Sequence, residues 1–312
     1  MTRVVVFAYH NVGVRCLSVL LAHGIEVALV VTHRDNPNEN IWFACVADLA
    51  ALHNIPVITP DNPNMLEVLE QIRALQPDFL FSFYYRDMFK CELLAIPKYG
   101  ALNMHGSLLP KYRGRVPVNW AIIKGEAETG ATLHFMTEKP DNGAVLAQQA
   151  VPILPDDTAF EVFQKVTVAA EIVLNDCLPA LLAGTAKPVK QDLSQGAYFG
   201  GRKPEDGIID WSQGAHSIHN LVRAVAPPYP GATTQLLGKS MRILQTLVTA
   251  SAATGEKPCF YIKENKAYAV CGQGLLRVVR FELEGMEMSA TEFAAQYGTA
   301  RLEFSVTLIM AK

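Results

Sequence analysis

Short apolar runs alternate with amphipathic segments through the first 182 residues of the chain. The Val-rich runs at 3–8 and 26–32 predict strands that are buried on both faces of a parallel sheet. Val12–His23 has helical spacing and is followed by Gly24, which predicts a helix that stops there. By the same criteria, further strands are predicted at 56–59, 78–83, 99–102, 129–137 and 144–151, and further helices at 42–53, 65–75, 117–124 and 158–182. This alternation predicts a doubly wound α/β domain with a parallel sheet.

The pattern changes near Pro188. Residues 188–210 are rich in Gly, Gln, Asp and Pro, and this composition predicts a linker. After a predicted helix at 212–225, short apolar segments separated by turns predict the strands of a small β-barrel, at 233–237, 241–248, 259–262, 267–270 and 275–281. The predicted domains are therefore 1–187 and 211–312, joined by the linker. The apolar, β-branched stretch at 304–310 has no assigned role.

Length and composition favour a packed protein of two domains. The 312 residues exceed the size of a usual single core, half of them are hydrophobic, and 18% are charged. No apolar run reaches the roughly 18 residues needed to span a bilayer, and 3–8 is too short for a signal sequence. The six cysteines form no Cys-x-x-Cys pair, and the histidines show no zinc spacing. A cytoplasmic protein with reduced thiols, no bound metal and no membrane contact is expected.

Charge argues against a general nucleic-acid binder. The formal net charge is −3, since 27 Lys and Arg face 30 Asp and Glu. Residues 1–204 carry 17 basic and 20 acidic side chains, and residues 205–312 carry 10 of each. Because neither half is a basic module, no nucleic-acid partner is expected.

A polar pair follows the predicted strand at 99–102. Asn103 and His105 are two residues apart, so in an extended chain they point to the same face, at the sheet edge where α/β proteins bind ligands. A carboxylate follows at Asp141, in a turn-rich stretch after another apolar segment. An amide can stabilise an oxyanion, an imidazole can move protons, and a carboxylate can orient and charge the imidazole. Each piece alone is also compatible with an ordinary loop or turn.

Phosphate-binding glycine loops are absent from the sequence. The first predicted strand-to-helix turn, Tyr9–Gly13, is neither a G-x-G-x-x-G motif nor a P-loop. Gly272-Gln-Gly274 lies in the predicted barrel, where a hairpin turn explains it better. A nicotinamide-dependent dehydrogenase and a nucleoside triphosphatase are therefore disfavoured.

The full string Asn103-Met-His-Gly-Ser-Leu-Leu-Pro-Lys-Tyr-Arg-Gly114, with Asp141 36 residues after the His, resembles the folate-dependent formyltransferase family. The resemblance runs from Arg3 to about residue 285. It implies a Rossmann-like formyltransferase domain followed by an OB-like barrel. It further implies that Asn103, His105 and Asp141 are catalytic and that N10-formyltetrahydrofolate is the co-substrate, with no metal.

The same resemblance places several residues along the folate. It assigns Arg115 to the donor and two short stretches to the folate-binding wall. These cofactor-binding residues are Asp87, Met88, Phe89, Arg115, Thr137, Glu138, Lys139 and Pro140. Apolar side chains that sandwich a pterin, and backbone groups that bind its edge, are a reasonable physical basis for such a wall.

The acceptor has to be inferred from flanking motifs. Tyr112–Trp120, with its second arginine and its Asn-Trp pair, looks like the motif of the bacterial UDP-4-amino-4-deoxy-L-arabinose formyltransferases. That resemblance implies an amino-sugar nucleotide as acceptor, in lipid A modification. In the best-known members a decarboxylase domain follows the formyltransferase, so a separate partner decarboxylase is possible here.

Two alternatives stay open. One is a methionyl-tRNA formyltransferase, whose loop after the second strand is long and basic, whereas His33–Asn40 here has one Arg against Asp35 and Glu39. The other is a non-catalytic module that binds folate or a nucleotide sugar, against which the intact trio argues.

Overall fold

A computed structural model describes residues 2–250 and 256–305. Two units emerge from the pattern of contacts within the chain. The first comprises the described residues up to 117 together with 128–152 and 163–201. The second comprises 118–127, 153–162 and the described residues from 202 onwards.

The chain up to residue 201 contains the elements of the predicted α/β domain. Its described strands are β1 (Arg3–Ala8), β2 (Glu26–Val31), β3 (Val57–Ile58), β4 (Phe79–Phe83), β5 (Ala101–His105), β6 (Arg113–Gly114), β7 (Glu128–Phe135), β8 (Val145–Pro152) and β9 (Tyr198–Phe199). Its described helices are α1 (His10–Ala22), α2 (Val46–Leu52), α3 (Leu66–Leu75), α4 (Cys91–Leu94), α5 (Pro117–Ile123) and α6 (Ala159–Leu182).

In the described part of the first unit, seven strands form one sheet in the order β3-β2-β1-β4-β5-β7-β8. The strands β1 to β5 are parallel, and β7 and β8 run antiparallel to their neighbours. The prediction of an α/β fold with a parallel sheet is therefore confirmed, with an antiparallel extension at one side. β6 and β9 pair separately, as two short parallel strands.

The sheet is buried because both faces of its central strands are apolar. Val4, Val6 and Phe7 of β1 are inaccessible to solvent. Phe7 belongs to a core cluster with the apolar side chains of α3 and α4, and α1 buries its own apolar stripe and contacts β1. This burial explains why β1 reads as a continuous apolar run rather than an alternating one.

Two element boundaries differ from the predictions for identifiable reasons. β5 continues through Asn103 and His105 instead of ending before them, because β4 and β7 pair with it on both sides. The helix predicted from residue 42 begins only at Val46. The preceding aromatic pair instead packs on His10, with ring centroids 4.6 Å away for Trp42 and 3.9 Å away for Phe43.

The second unit contains the predicted barrel. Its described elements are α7 (Ala215–Val225), β10 (Ala232–Leu236), β11 (Lys239–Val248), β12 (Cys259–Lys263), β13 (Lys266–Val270), β14 (Leu275–Leu283), β15 (Met286–Met288), α8 (Ala290–Tyr297) and β16 (Leu302–Ser305). Six of these strands close in the order β11-β10-β16-β12-β13-β14, because β14 pairs back with β11. Phe260, Phe281 and Phe293 fill the interior with edge-to-face contacts. Of the apolar stretch 304–310, residues 304 and 305 belong to β16, and 306–310 lie outside the described residues.

None of the helices in the described ranges is long and apolar enough to cross a membrane.

Candidate active site

Strand pairing brings the predicted polar residues together. Asn103 and His105 lie two residues apart on β5 and therefore point to the same face of the sheet. β7 runs antiparallel beside β5 and places His134 directly opposite Asn103. Asp141 follows β7 in the turn that leads to β8. Two adjacent strands and one turn thus supply an amide, two imidazoles and a carboxylate.

The turn that carries Asp141 is tightly constrained. Asp141 has a φ of 56°, in the left-handed region that Asp tolerates better than most residues. A Cβ atom on Gly143 would lie 1.7 Å from the carbonyl oxygen of Phe135, so only glycine fits there. Gln191 lies against the same turn, and its Nε2 donates to the carbonyl oxygens of Asp141 and Gly143, at 2.9 and 2.6 Å.

The carboxylate of Asp141 is the point where the contacts of the site meet. The backbone N–H of Gly114 donates to its Oδ2 at 2.7 Å. Its Oδ1 is 3.6 Å from Nδ1 of His105 and 3.5 Å from Nε2 of His134. Burial by itself would raise the pKa of Asp141, but the two imidazoles and the Gly114 N–H outweigh it and hold this pKa well below its ordinary value. The side chain is therefore ionised at neutral pH.

Hydrogen bonds at the far nitrogens orient both imidazole rings. Nε2 of His105 donates to the carbonyl oxygen of Tyr112 at 2.8 Å, so Nδ1 is the nitrogen that faces Asp141. Nδ1 of His134 donates to the carbonyl oxygen of Phe135 at 2.8 Å. Nε2 of His134 faces the amide nitrogen of Asn103 at 3.2 Å and Oδ1 of Asp141 at 3.5 Å, so it accepts from Asn103 when the ring is neutral and donates to Asp141 when the ring is protonated. An amide carries two N–H hydrogens, so this contact uses only one donor of Asn103.

The first stretch assigned to the folate wall follows β4. Phe89 is buried and packs on Phe7 at a centroid distance of 4.5 Å, so its side chain belongs to the core. Met88 is half exposed, and its carbonyl oxygen accepts a hydrogen bond from Asn64 at 2.9 Å. Asp87 is partly exposed. Of this stretch, Asp87, Met88 and the backbone of Phe89 can face a ligand.

The second stretch lies in the same turn as Asp141. Thr137, Glu138 and Lys139 are exposed, Pro140 is partly exposed, and the hydroxyl of Thr137 donates to the carbonyl oxygen of Lys139 at 2.9 Å. Arg115 is next to Gly114, so it is anchored beside the same carboxylate. Its backbone N–H donates to Phe199 at 2.9 Å, while its side chain is exposed.

Sequence reasoning missed three residues that complete the site. His134 lies on β7, and only the register between β5 and β7 reveals that it faces Asn103. Gly114 was part of the recognised motif, but its role as donor to Asp141 depends on the fold. Gln191 lies in the segment predicted to be a linker, in which Tyr198 and Phe199 form β9.

Among the described residues, no group of three or more His, Cys, Asp or Glu side chains could hold a metal ion.

Family models match most of the chain. The model described as formyl transferase matches residues 3–178, and the model described as formyl transferase, C-terminal domain, matches residues 202–298.

Solved structures agree with this fold. An N-formyltransferase from Helicobacter canadensis, in complex with folinic acid and dTDP-3-aminofucose, has a TM-score of 0.69 at 22% identity, over 89% of this chain and 99% of that chain. A sugar N-formyltransferase from a Shewanella species has a TM-score of 0.62 at 21% identity, over 80% of this chain and 99% of that chain. A phosphoribosylglycinamide formyltransferase from Bacillus halodurans is 27% identical, with a TM-score of 0.52, over 58% of this chain and 96% of that chain.

Proposed function

The chain belongs to the formyltransferase family, and we propose that it transfers a formyl group from N10-formyltetrahydrofolate to the primary amine of a nucleotide-linked amino sugar. The observation that carries this proposal is the convergence of Asn103 and His105 with the ionised carboxylate of Asp141. Such a set suits acyl transfer to an amine. The complex of the similar Helicobacter canadensis enzyme with folinic acid and dTDP-3-aminofucose supports both the donor and the class of acceptor.

In the proposed reaction, the neutral amine attacks the formyl carbon, a C–N bond forms, and the carbonyl electron pair moves onto oxygen. The second amide hydrogen of Asn103 and protonated His105 stabilise the oxyanion. The bond from carbon to N10 then breaks and N10 takes a proton from His105. The acceptor nitrogen gives its own proton to the neutral His105 ring, which returns the ring to its protonated state. Asp141 stabilises the positive charge on His105 throughout.

The contact between His105 and Tyr112 adds a requirement to this mechanism. Both ring nitrogens of His105 have neighbours within the chain, Tyr112 on one side and Asp141 on the other. Proton transfer to a substrate therefore requires one contact to be exchanged. The Tyr112 carbonyl is the one that gives way, because the contact with Asp141 supplies the charge stabilisation that the reaction needs.

The finer part of the proposal concerns the sugar. The motif Tyr112–Trp120 favours UDP-4-amino-4-deoxy-L-arabinose, in lipid A modification, over other amino-sugar nucleotides. The folate residues also remain part of the proposal: the wall of the donor site would be formed by Asp87, Met88, the backbone of Phe89, Arg115, and the turn 137–140.

An acceptor screen tests the proposed function. Formyltetrahydrofolate is offered with UDP-4-amino-4-deoxy-L-arabinose, with dTDP-linked 3-amino sugars and with methionyl-tRNA, and the formylated product is measured by mass spectrometry. Formylation of a sugar nucleotide, abolished in Asp141→Asn, is the expected result. Turnover with methionyl-tRNA alone would mean that tRNA, and not a sugar nucleotide, is the acceptor. Folate binding without any turnover would indicate a non-catalytic binding module.

Arg115 provides a test of the donor site. Arg115→Ala removes an exposed guanidinium but keeps the backbone N–H that bonds Phe199. We expect the KM for the folate donor to rise by roughly tenfold, as loss of a charge-assisted hydrogen bond would produce, with kcat nearly unchanged. Lys124→Ala, an exposed cation outside the proposed wall, serves as the control. An unchanged KM in Arg115→Ala would remove this residue from the donor site.

A further inference from the structure

The segment that follows α6 has unexpected contacts with the turn that carries Asp141. Gln191 is the first of them, and only 9% of its surface is exposed although the surrounding segment is polar. Its Nε2 donates to two carbonyl oxygens, those of Asp141 and Gly143, at 2.9 and 2.6 Å. One side chain thus holds the turn on both sides of Asn142.

A second set of contacts holds Gly114, whose N–H donates to Oδ2 of the Asp141 carboxylate. β9 pairs with β6, and the N–H groups of Arg113 and Arg115 donate to the carbonyl oxygens of Ala197 and Phe199 at 3.1 and 2.9 Å. This pairing fixes Gly114, whose N–H donates to Asp141. The approach is so close that a Cβ atom on Gly114 would lie 2.1 Å from the Phe199 oxygen.

The guanidinium of Arg113 joins the two sets of contacts. Its Nη1 donates to Oδ1 of Asn142 at 2.8 Å, within the turn. Its Nη2 lies 3.4 Å from the carbonyl oxygen of Leu193 and 3.3 Å from that of Gly196, within the segment after α6. The turn, the β6 strand and the segment 191–199 are therefore mutually bonded around one buried carboxylate.

We propose that residues 191–199 form a brace that positions Asp141 for the transfer reaction, with Gln191 as its principal positioning residue. The inference rests on the proposed function, because it assigns the brace to the same reaction. Gln191 touches no reacting atom. It acts through the backbone of Asp141, whose carboxylate must stay within reach of both His105 and the Gly114 N–H.

The decisive variant is Gln191→Met, which keeps an unbranched side chain of similar length and removes both hydrogen bonds. We expect kcat to fall by roughly 10- to 100-fold, since a misplacement of about 1 Å at a reacting group has an effect of this order. The KM values for donor and acceptor should change by less than about threefold, because neither ligand loses a contact. The control is Gln149→Met, the same substitution at an exposed glutamine on β8 outside the brace, which should behave as the unaltered protein.

The pH profile separates positioning from mere structural support. Loosening the turn weakens the contacts that keep Asp141 ionised, so the acidic limb of kcat against pH should move to higher pH in Gln191→Met. A purely structural role would lower the melting temperature and leave both this limb and kcat per folded molecule unchanged. That second result would overturn the proposal.

A further variant covers the case in which Gln191→Met does not fold. Asn142→Ala removes the acceptor of Arg113 from the same turn and leaves Gln191 in place. A fall in its kcat at unchanged KM supports the brace, and an unchanged kcat overturns it. All variants are compared with the unaltered protein on the acceptor identified by the screen. An unaltered protein without formyl transfer would contradict the proposed function, whereas active variants would contradict only the brace.

Discussion

In the proposed mechanism, Asp141 is the residue on which the chemistry of the site depends. A buried carboxylate is unfavourable unless it is paired and hydrogen-bonded, and here one N–H group and two imidazoles surround it. This arrangement gives a fixed negative charge beside His105 without a metal ion or a second carboxylate. It also explains why the turn around Asp141 is held so firmly, since a carboxylate that moved away would leave His105 without its counter-charge.

Removing either member of this pair should abolish most of the activity. In the proposed mechanism, His105→Ala deletes the group that delivers the proton, and Asp141→Asn deletes the charge that stabilises the protonated ring. We expect each change to lower kcat by roughly 100-fold or more, with folate affinity within a few-fold of the unaltered protein. Initial rates and a fluorescence titration with folate measure the two quantities. His23→Ala, an exposed histidine that contacts Asn175, is the control, and near-normal turnover in either site variant would contradict the mechanism.

His10 leads to a prediction about stability. Burial, with a smaller contribution from the positive charge of Arg86, lowers the pKa of His10 to about 3. In the unfolded chain the ring takes up a proton below about pH 6.5, whereas the folded protein excludes that proton. The free energy of unfolding should therefore fall as the pH is lowered from about 6.5 towards 3, by at most about 1.4 kcal/mol per pH unit from this group.

Denaturant titrations at pH 7.5 and pH 5.5 check this effect. His10→Asn retains a residue that tolerates the observed φ of 68° but cannot titrate. It should lose less stability than the unaltered protein between the two pH values. Equal losses would mean that His10 is protonated in the folded state.

The catalytic candidates were taken from the sequence through the resemblance of the full string at 103–114, with Asp141, to the formyltransferase family. The pair Asn103 and His105 alternates on one strand, and Asp141 occupies a recognisable turn. The sequence did not reveal His134, because cross-strand neighbours depend on the register between β5 and β7. It also did not show that the side chain of Phe89 is buried, since an aromatic residue in a loop carries no signal of whether it turns inward.

At the scale of elements, the loop His33–Asn40 has more structure than its charges suggested. Asp35 accepts a hydrogen bond from the hydroxyl of Tyr9 at 2.7 Å, and Glu39 forms a two-bond ion pair with Arg86 at 2.9 and 2.8 Å. These carboxylates anchor the loop to residues that follow β1 and β4. These contacts are consistent with the interpretation that the loop has no positive charge to offer a polyanion. They also show that the carboxylates of Asp35 and Glu39 are already bonded within the protein.

The pairing of β6 with β9 is an element-scale feature that one methyl group should disrupt. Gly114 has a φ of 99° and lies against the Phe199 carbonyl, so Gly114→Ala adds both backbone strain and a clash. We expect kcat to fall at least tenfold, because the N–H donor of Asp141 is displaced. The measurement is kcat per folded molecule, with folding followed by circular dichroism.

Gly184→Ala is the matched control for this substitution. Gly184 also has a positive φ, at 67°, but nothing lies within 4 Å of its added Cβ atom. It should lose about 1 kcal/mol or more of stability from strain, with kcat unchanged. If Gly114→Ala retains full kcat, the β6–β9 contact does not position Asp141.

Most longer elements could be predicted from hydrophobic periodicity, and the short ones could not. β1, β2 and β4 are apolar runs, and α6 has a clear apolar stripe, so these elements could be recognised from their hydrophobic residues. β6 and β9 have two residues each, and their pairing depends on backbone hydrogen bonds rather than on apolar side chains. Composition alone therefore assigned the second of them to a linker.

At the scale of the whole molecule, the order of an α/β domain and a β-barrel followed from the change in pattern near Pro188. The prediction of a small β-barrel is confirmed, but the sequence did not show which strands close it, because closure depends on β11 pairing with both β10 and β14. The antiparallel direction of β7 and β8 was equally hidden, since an apolar strand has the same sequence pattern in either direction. Periodicity reports which residues are buried, and it does not report which strand lies beside which.

The distribution of charge over the molecule leads to a prediction about the acceptor. With a net charge of −3 and no basic half, the chain has few cations to offer a long polyanion. A sugar nucleotide has one pyrophosphate, so kcat/KM should fall only gently as salt is raised from about 50 to 200 mM. A tRNA held by many phosphate contacts would instead give a log–log slope of about −0.9 for each phosphate contacted in a duplex. Initial rates with both acceptors over this range decide the matter, and productive turnover of tRNA with a steep slope would contradict the amino-sugar proposal.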